Sequence, residues 1–427
     1  MKEYEIYDCL YGRQLLSSDE YKLILVPELQ RLRYIRLSNI DSISLTGGAN
    51  ISRYEHSLGT FFLARIWCSL NSVTGYNERC IKKAALYHDI CSAPFGHSFQ
   101  YIFEDNDEDN TFEHQNLRKI RENGFLQEID SGKEVYGRKY RIQNMVEPDE
   151  LSDIDDYING QGEFGKLISS DIDFDNIDNV IRLAFHIGIL ESSDLSIPLK
   201  LINAMKVQNQ KVVFTEDGIP FLKRWYEIRR KLYELLLTKW SDFSEKAMLT
   251  YALELCYAKR VFTVSQWKET DSDLLQLLYK TTGEEQEVSR IAERLLVGDL
   301  YFPYVILSIN NTELYSSINS IEKKRLIEKE LKEMTGHKFI FHPILDKSKT
   351  NRVLNINMLN GKSEIIGEKK DQLLIGLFSP SEISLVDKEK IDGKVFQIIK
   401  KYGIIDSIKV FDPYGEDICN PIQGLLL

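Results

Sequence analysis

The stretch KKAALYHDICSAPFGH, residues 82–97, decides how this 427-residue chain is interpreted. Apolar residues before His88 recur at the spacing of one helix face, and the Ser-Ala-Pro-Phe-Gly run that follows ends a helix. His88 and Asp89 therefore stand together at a predicted helix end. Imidazole and carboxylate are both metal ligands, but a helix-terminal pair that hydrogen-bonds the loop backbone explains the same two residues.

The other histidines favour the first interpretation. The chain has seven His, and five of them lie between residues 56 and 186: His56, His88, His97, His114 and His186. Ser52 is a candidate N-cap, and it predicts a helix that carries Arg53 and His56 and continues to about Leu70.

A further helix is predicted to begin at Asp175. One of its faces places a carboxylate, an amide, a guanidinium and an imidazole at helical spacing: Asp175, Asn179, Arg182 and His186. A solvated face with an Asp178–Arg182 pair at i, i+4 explains this stripe, and so does a pocket for phosphate or metal.

Several short motifs, taken in order, resemble the HD-domain phosphohydrolases, and among them the deoxynucleoside triphosphate triphosphohydrolases. They cover about residues 20–300: LQRLRYI at 29–35, RYEHSLG at 53–59, His88-Asp89 with Pro94-Phe95 and His97, His114-Gln115, IDFD at 172–175 with Asp178, and Arg229 with Leu232-Tyr233.

The resemblance implies one divalent ion beside the α-phosphate of a nucleotide. Its expected ligands are two imidazoles and two carboxylates: His56, His88, Asp89 and Asp175. Mixed His and Asp ligation suits Mn, Fe, Ni or Zn better than Mg alone.

The resemblance also gives Arg53 a phosphate contact, and it gives His97 and His114 a part in catalysis or phosphate contact. We expect Asn179 and Arg182 to bind substrate as well. The alternatives are an exposed helix-start arginine for Arg53 and ordinary structural histidines for the other two positions.

The chain departs from the family pattern at four positions. Ser92 stands where an additional catalytic His is expected, Gln100 replaces an acid, Asn176 replaces a basic residue and Asn179 replaces a nucleotide-contacting Tyr. A serine hydroxyl is no general acid near neutral pH, and an amide does not orient a His as a carboxylate does. Metal binding is therefore better supported than the family's standard chemistry; Glu104 is a candidate replacement for the acid.

Composition narrows the class of function. The formal net charge of −11 argues against nucleic-acid binding as the main role, including sequence-specific binding. The six cysteines form no CxxC motif, so neither a disulfide framework nor a Cys-rich zinc site is expected. With no signal-peptide pattern and no apolar run of membrane-spanning length, we expect a cytoplasmic protein; the resemblance implies a homo-oligomer.

The predicted fold is mainly α, an HD-domain helical core with a smaller C-terminal α+β appendage. We expect a core at 1–235, a helical extension at 236–335 and the appendage at 336–427. Strands are predicted near residues 338–341, 352–357, 372–378 and 407–411, with a helix at 388–401.

The expected function is a metal-dependent nucleotide phosphohydrolase that converts dNTPs to deoxynucleoside and triphosphate. One alternative is a nucleotide-binding sensor or regulator on an altered HD scaffold. Another is an HD phosphohydrolase that acts on a different phosphoester. An α-helical interaction protein with accidental motifs requires many coincident matches.

Overall fold

The structure is a computed structural model that describes residues 3–38, 51–104, 141–281, 286–346 and 350–411. The side chains of His97, Glu104, Thr238 and Val264 are outside this description. The predicted roles of His97 and His114 therefore lie outside the described part of the chain, as does that of Glu104.

Helices dominate, which confirms the predicted mainly α class. The described residues form sixteen α-helices: α1 (Ser18–Ile24), α2 (Pro27–Arg31), α3 (Arg53–Leu70), α4 (Gly75–Tyr87), α5 (His97–Glu104), α6 (Ile142–Met145), α7 (Leu151–Ile158), α8 (Phe174–Ile187), α9 (Ile197–Ala204), α10 (Ile219–Thr238), α11 (Trp240–Ala258), α12 (Asp271–Tyr279), α13 (Gln286–Val297), α14 (Leu314–Ile318), α15 (Ile321–Thr335) and α16 (Leu385–Lys401). In the ranges given above, every helix is too short or too polar to cross a bilayer.

Ten short strands complete the described part of the chain: β1 (Tyr4–Asp8), β2 (Gly12–Leu16), β3 (Met205–Gln208), β4 (Lys211–Phe214), β5 (Phe302–Ile309), β6 (Ile340–Leu345), β7 (Leu354–Asn357), β8 (Ser363–Ile366), β9 (Leu373–Ser379) and β10 (Ile408–Phe411). Three antiparallel hairpins pair β1 with β2, β3 with β4, and β7 with β8. The other four strands form one antiparallel sheet in the order β10-β5-β9-β6.

Helix α3 is the centre of the helical core. The Ser52 side chain accepts the backbone N–H of Glu55 at 3.2 Å, which caps the helix as predicted. Side chains around the whole circumference of α3 are buried, including Phe61 and Phe62, which are fully buried. The helix packs against α4, α8 and α9. The residues of its first turn lie near α4 and α8.

Helix α8 begins and ends with recognisable caps. The Asp173 side chain accepts the backbone N–H of Asn176 at 2.6 Å, and Gly188 ends the helix with φ +81°. A residue with a side chain adopts that left-handed conformation only at a cost, which suits glycine at this position. The caps place Asp175 in the first turn, next to α3.

The sheet differs from the prediction at one strand. Phe302–Ile309 falls in the stretch expected to be helical, yet it forms β5 between β9 and β10. Its Val305 and Leu307 side chains pack in one hydrophobic cluster and that of Ile306 packs in another. Because both faces are covered, the strand is a continuous apolar run without the alternation that identifies a half-exposed strand.

The β7–β8 hairpin joins the helical core instead of the sheet. Leu354, Ile356 and Ile366 are buried among residues of α3, α8 and α10. The Leu359 N–H donates to the carbonyl of Phe214 at 2.9 Å, next to a bridge between β4 and the hairpin. The segment expected to be an appendage thus contributes apolar side chains to the core, and the division into three parts stays a prediction.

Candidate metal centre

Helix α3 supplies the first site residues. Arg53 and His56 are one turn apart at its N-terminus, and His56 is only 1% exposed. Residues three apart on a helix share a face. Both side chains therefore point toward the junction of α3, α4 and α8.

The end of α4 supplies the predicted His-Asp pair. The helix ends at Tyr87, and His88 follows as its C-cap. His88 Nδ1 donates to the carbonyl of Ala85 at 2.8 Å, so the backbone interaction expected from the simpler interpretation exists. The other ring nitrogen is directed to His56, where the two Nε2 atoms are 3.2 Å apart.

Three potential metal-ligand atoms, from α3, the end of α4 and α8, lie close together beside these imidazoles. Asp175 Oδ1 of α8 lies 2.9 Å from His56 Nε2 and 3.7 Å from His88 Nε2. His56, His88 and Asp175 thus form a group whose ligand atoms could share one ion.

Hydrogen bonds at the Nδ1 atoms determine which nitrogen of each neutral imidazole would face a metal. Because the Ala85 carbonyl only accepts, His88 carries its proton on Nδ1. His56 Nδ1 lies 2.7 Å from Asp178 Oδ2, and a carboxylate also only accepts. In the neutral rings, both Nε2 lone pairs therefore face each other and the Asp175 oxygen, an arrangement that a cation stabilises.

The pKa of His56 reflects this arrangement. Burial opposes the charged ring, but hydrogen bonds to Asp175 and Asp178 outweigh it and raise the pKa to about 10. Without a cation, the point of convergence holds a proton. A divalent ion supplies the same positive charge and satisfies both imidazoles, so the donor set fits such an ion.

Asp89 lies at the edge of this group. Its Oδ2 is 3.9 Å from His88 Nε2, while Arg53 Nη1 donates to both of its oxygens at 2.8 Å. Ser92 Oγ donates to Oδ1 at 3.0 Å. Although burial opposes ionisation, Arg53 and the two imidazoles hold the pKa of Asp89 far below its ordinary value.

Asp178 and Arg182 form a buried pair behind His56, and both side chains are fully buried. Arg182 donates through Nε and Nη2 to the two Asp178 oxygens, both at 2.9 Å. Tyr11 Oη, from the β1–β2 hairpin, donates to Asp178 Oδ1 at 2.8 Å. Despite burial, the arginine and His56 lower the pKa of Asp178 to about 2. A carboxylate held in this way fixes the orientation of His56.

The packing of α3 on α8 depends on a glycine at this level. A Cβ atom on Gly59 would overlap the side chains of Asp178 and Arg182. The absence of a side chain at Gly59 therefore lets the buried pair approach α3.

Arg182 and Asn179 occupy different environments, although both were expected to bind substrate. The guanidinium of Arg182 is enclosed by Asp178, Glu55 and Asp8, so the structure places it behind the metal centre. Asn179 Oδ1 is buried and has no hydrogen-bond partner among the described residues. The guanidinium of Arg182 is thus engaged by carboxylates, whereas the amide oxygen of Asn179 is unpaired among the described residues.

Sequence reasoning missed two features of the site. Asp178 orients His56, but the i, i+4 spacing to Arg182 looks the same for a solvated pair as for a buried one. The resemblance implies a phosphate contact for Arg53 but not its bond to Asp89, and the burial of Arg53 excludes the exposed alternative. The occurrence of Asp178 in the motif at 172–178 was the sequence feature that could have indicated that it orients His56.

Comparisons with known proteins agree with this geometry. Residues 53–145 match the family model of the HD domain. An uncharacterized protein of Methanocaldococcus jannaschii is 24% identical across 95% of this chain and 89% of the relative. The uncharacterized protein YwfO of Bacillus subtilis is 25% identical across 72% of this chain and 73% of the relative.

A third relative has a named activity. The deoxynucleoside triphosphate triphosphohydrolase SAMHD1 of Danio rerio is 24% identical across 69% of this chain, and the match spans 54% of that protein. Residues 53–145 thus match the HD domain, and the chain is similar, at low identity, to proteins named as deoxynucleoside triphosphate triphosphohydrolases.

Proposed function

We propose that this protein is a metal-dependent nucleotide phosphohydrolase that hydrolyses dNTPs to deoxynucleoside and triphosphate. The observation that carries the proposal is the convergence of His56 Nε2, His88 Nε2 and Asp175 Oδ1 from three helices, with Asp89 beside them. The substrate class comes from relatives named as triphosphohydrolases, not from the geometry.

The proposed ligands are His56, His88, Asp89 and Asp175. Mixed imidazole and carboxylate ligation favours Mn, Fe, Ni or Zn, with Mg less suited. A bound ion would orient a phosphate oxygen and lower the pKa of a water molecule. In the proposed reaction, water attacks the α-phosphorus, the bond to the 5′ oxygen breaks, and the deoxynucleoside leaves with a proton.

Cationic groups near the centre support a polyphosphate substrate. Arg53 is fixed by Asp89 on one side. The guanidinium carbon of Arg229 lies 4.6 Å from the ring centroid of Tyr233. Burial, with a contribution from Asp175, raises the pKa of that tyrosine, although Arg229 opposes the change. Guanidinium groups placed in this way suit phosphate oxygens and stabilise charge that develops during transfer. We assign Asn179 to the nucleotide, because its amide oxygen has no partner among the described residues.

Ser92 favours a second candidate function. Its hydroxyl donates to Asp89, at the position where the family resemblance leads us to expect an additional His, and it cannot serve as a general acid near neutral pH. We assign proton transfer to His97 and His114. If these histidines do not fulfil that role, the protein is a nucleotide-binding sensor or acts on another phosphoester. A cytoplasmic location and a homo-oligomeric state remain predictions.

The test is a hydrolysis panel of dNTPs and NTPs with Mn²⁺ and with Mg²⁺, with identification of the phosphate product. The proposal predicts triphosphate from dNTPs and loss of this product in Asp89→Ala. Release of orthophosphate or pyrophosphate would move the reaction to another bond. Absence of turnover in a sample that contains metal would favour the sensor, and nucleotide binding measured on that sample would then identify it.

A further inference from the structure

A second group of potential ligands lies on the opposite side of Arg182 from Asp178. It combines a thiol, a carboxylate and an imidazole from three separate elements. Cys9 lies in the turn between β1 and β2, Glu55 is in the first turn of α3, and His186 is in the last turn of α8. This group shares no residue with the centre at His56.

The three ligand atoms are spaced as a zinc site requires. Glu55 Oε1 is 3.0 Å from His186 Nε2 and 3.3 Å from Cys9 Sγ, and Sγ is 3.6 Å from the same imidazole nitrogen. Zinc bonds to nitrogen, oxygen and sulfur at tetrahedral angles separate neighbouring ligand atoms by about 3.3–3.6 Å. A small adjustment of each side chain brings all three into contact with one ion.

The surroundings of the group carry excess negative charge. Arg182 is the cation at its inner side, and three carboxylates contact that guanidinium: Asp8, Glu55 and Asp178. Arg182 offsets one of these charges and the protonated ring of His56, which bonds Asp178, offsets another. One negative charge remains beside Glu55, and it favours a cation there. Arg182 Nη1 also donates to Cys9 Sγ at 3.4 Å, a hydrogen bond that stabilises a sulfur with negative charge.

Solvent access suits a site that takes up an ion. Cys9 is exposed, while the side chains of Glu55 and His186 are 31% and 27% exposed. Three protein ligands with an open side leave room for a water molecule as the fourth ligand. Thiolate, imidazole and carboxylate together favour zinc over the harder magnesium or calcium ions.

We propose that Cys9, Glu55 and His186 form a second metal site, which binds a zinc-type divalent cation. In the absence of the cation, the thiol donates its hydrogen bond to Glu55 Oε1. On binding, the S–H bond breaks, the proton leaves to solvent, and the thiolate, the imidazole and the carboxylate each donate an electron pair to the ion.

A chain of hydrogen bonds connects this second site to the candidate metal centre at His56. Arg182 bonds Glu55 on one side and Asp178 on the other, and Asp178 bonds His56. The inference does not rest on the proposed function, because the second ligand set is independent of any reaction at His56.

Cobalt substitution gives a direct test, because Co²⁺ bound to thiolate has a charge-transfer absorption that His and Asp ligands do not produce. We expect this absorption in the wild-type protein and in Asp175→Asn, which lacks a ligand of the first centre. We expect its complete loss in Cys9→Ser. Absence of the band in the wild type, or its persistence in Cys9→Ser, would overturn the proposal.

Zinc titration tests the other ligands. His186→Gln should weaken zinc binding at this site more than about 100-fold, beyond the effect of outer hydrogen-bond partners. His337→Gln, a half-buried histidine in the connection between α15 and β6, is the matched control and should leave zinc binding unchanged. Equal zinc affinity in His186→Gln and the control would contradict the assignment. Thermal melts would establish that each variant is folded, and the wild-type cobalt spectrum tests the site without any variant.

Discussion

Charged side chains are buried in two regions of the molecule, and the two regions arrange them differently. At the metal centre, His56, His88 and Asp175 direct acceptor atoms at one another. Between α11 and α15, each acid lies against a cation: Lys324 and Arg325 bond Glu254, and Arg325 Nη1 is 2.9 Å from Glu328. The second cluster is neutralised by its own pairs, whereas the first brings acceptor atoms together around a position that holds a proton or could hold a cation. Burial of charge alone therefore does not indicate a metal site, whereas convergence of acceptor atoms on one point does.

The largest effect, a loss of metal affinity, is expected for a substitution of Asp175. Asp175→Asn removes the anionic oxygen nearest to the two Nε2 atoms, so metal affinity should fall more than about 100-fold, together with hydrolysis. Asp156→Asn, an exposed position on α7, is the control and should leave both unchanged. Calorimetric titration with Mn²⁺ measures the affinity. A variant that binds metal as tightly as the wild type would remove Asp175 from the ligand set.

The cluster between α11 and α15 should be detectable in the pH dependence of the free energy of unfolding. Burial outweighs the nearby Arg325 and raises the pKa of Glu328 from 4.5 to about 8. The folded state then binds more protons than the unfolded state in this window, so the free energy of unfolding falls as pH rises from about 4.5 to about 8. Glu328→Gln stays neutral. It should be more stable than the wild type by a few kcal/mol near pH 8 and equal to it near pH 4.

Urea denaturation across this pH range measures the difference. Glu333→Gln, exposed on the same helix, is the control and should differ from the wild type by less than about 0.5 kcal/mol. A constant offset between Glu328→Gln and the wild type at every pH would contradict a protonated, buried Glu328.

The residue behind His56 should have an intermediate effect. Asp178→Asn keeps the shape but loses the charge that fixes the imidazole, so metal affinity should fall about 10–100-fold. Asp194→Asn removes a carboxylate of another largely buried pair, with Arg224, and should reduce stability without reducing metal affinity. Titration of both variants with Mn²⁺ separates the two effects. Equal metal affinity would make Asp178 a purely structural residue.

Two glycines give the smallest and most local comparison. A methyl group on Gly59 overlaps the Asp178–Arg182 pair, so Gly59→Ala should lower the free energy of unfolding by about 1–3 kcal/mol. Gly393 lies inside α16 with open space around it, so Gly393→Ala should raise that free energy by about 0.5–1 kcal/mol. Urea denaturation of both variants measures these two changes in the free energy of unfolding. The same sign for both substitutions would refute the close approach of α8 to Gly59.

Local signals predicted the elements that carry the site. The cap at Ser52 and the apolar spacing before His88 depend on neighbouring residues only, so α3 and the end of α4 were predicted correctly. Long-range packing was not predictable in this way. The role of Asp178 depends on Tyr11 and Gly59, which are distant in sequence. The same holds for β5, whose two covered faces remove the alternation that indicates a strand.

In the proposed function, the centre at His56 promotes attack of water on the α-phosphorus of a dNTP. The most direct measurement is hydrolysis in ¹⁸O-labelled water, with mass analysis of both products and with His88→Ala as the inactive control. The predicted result is one labelled oxygen in the released triphosphate and none in the deoxynucleoside. Label in the deoxynucleoside, or orthophosphate or pyrophosphate as the labelled product, would contradict the claim.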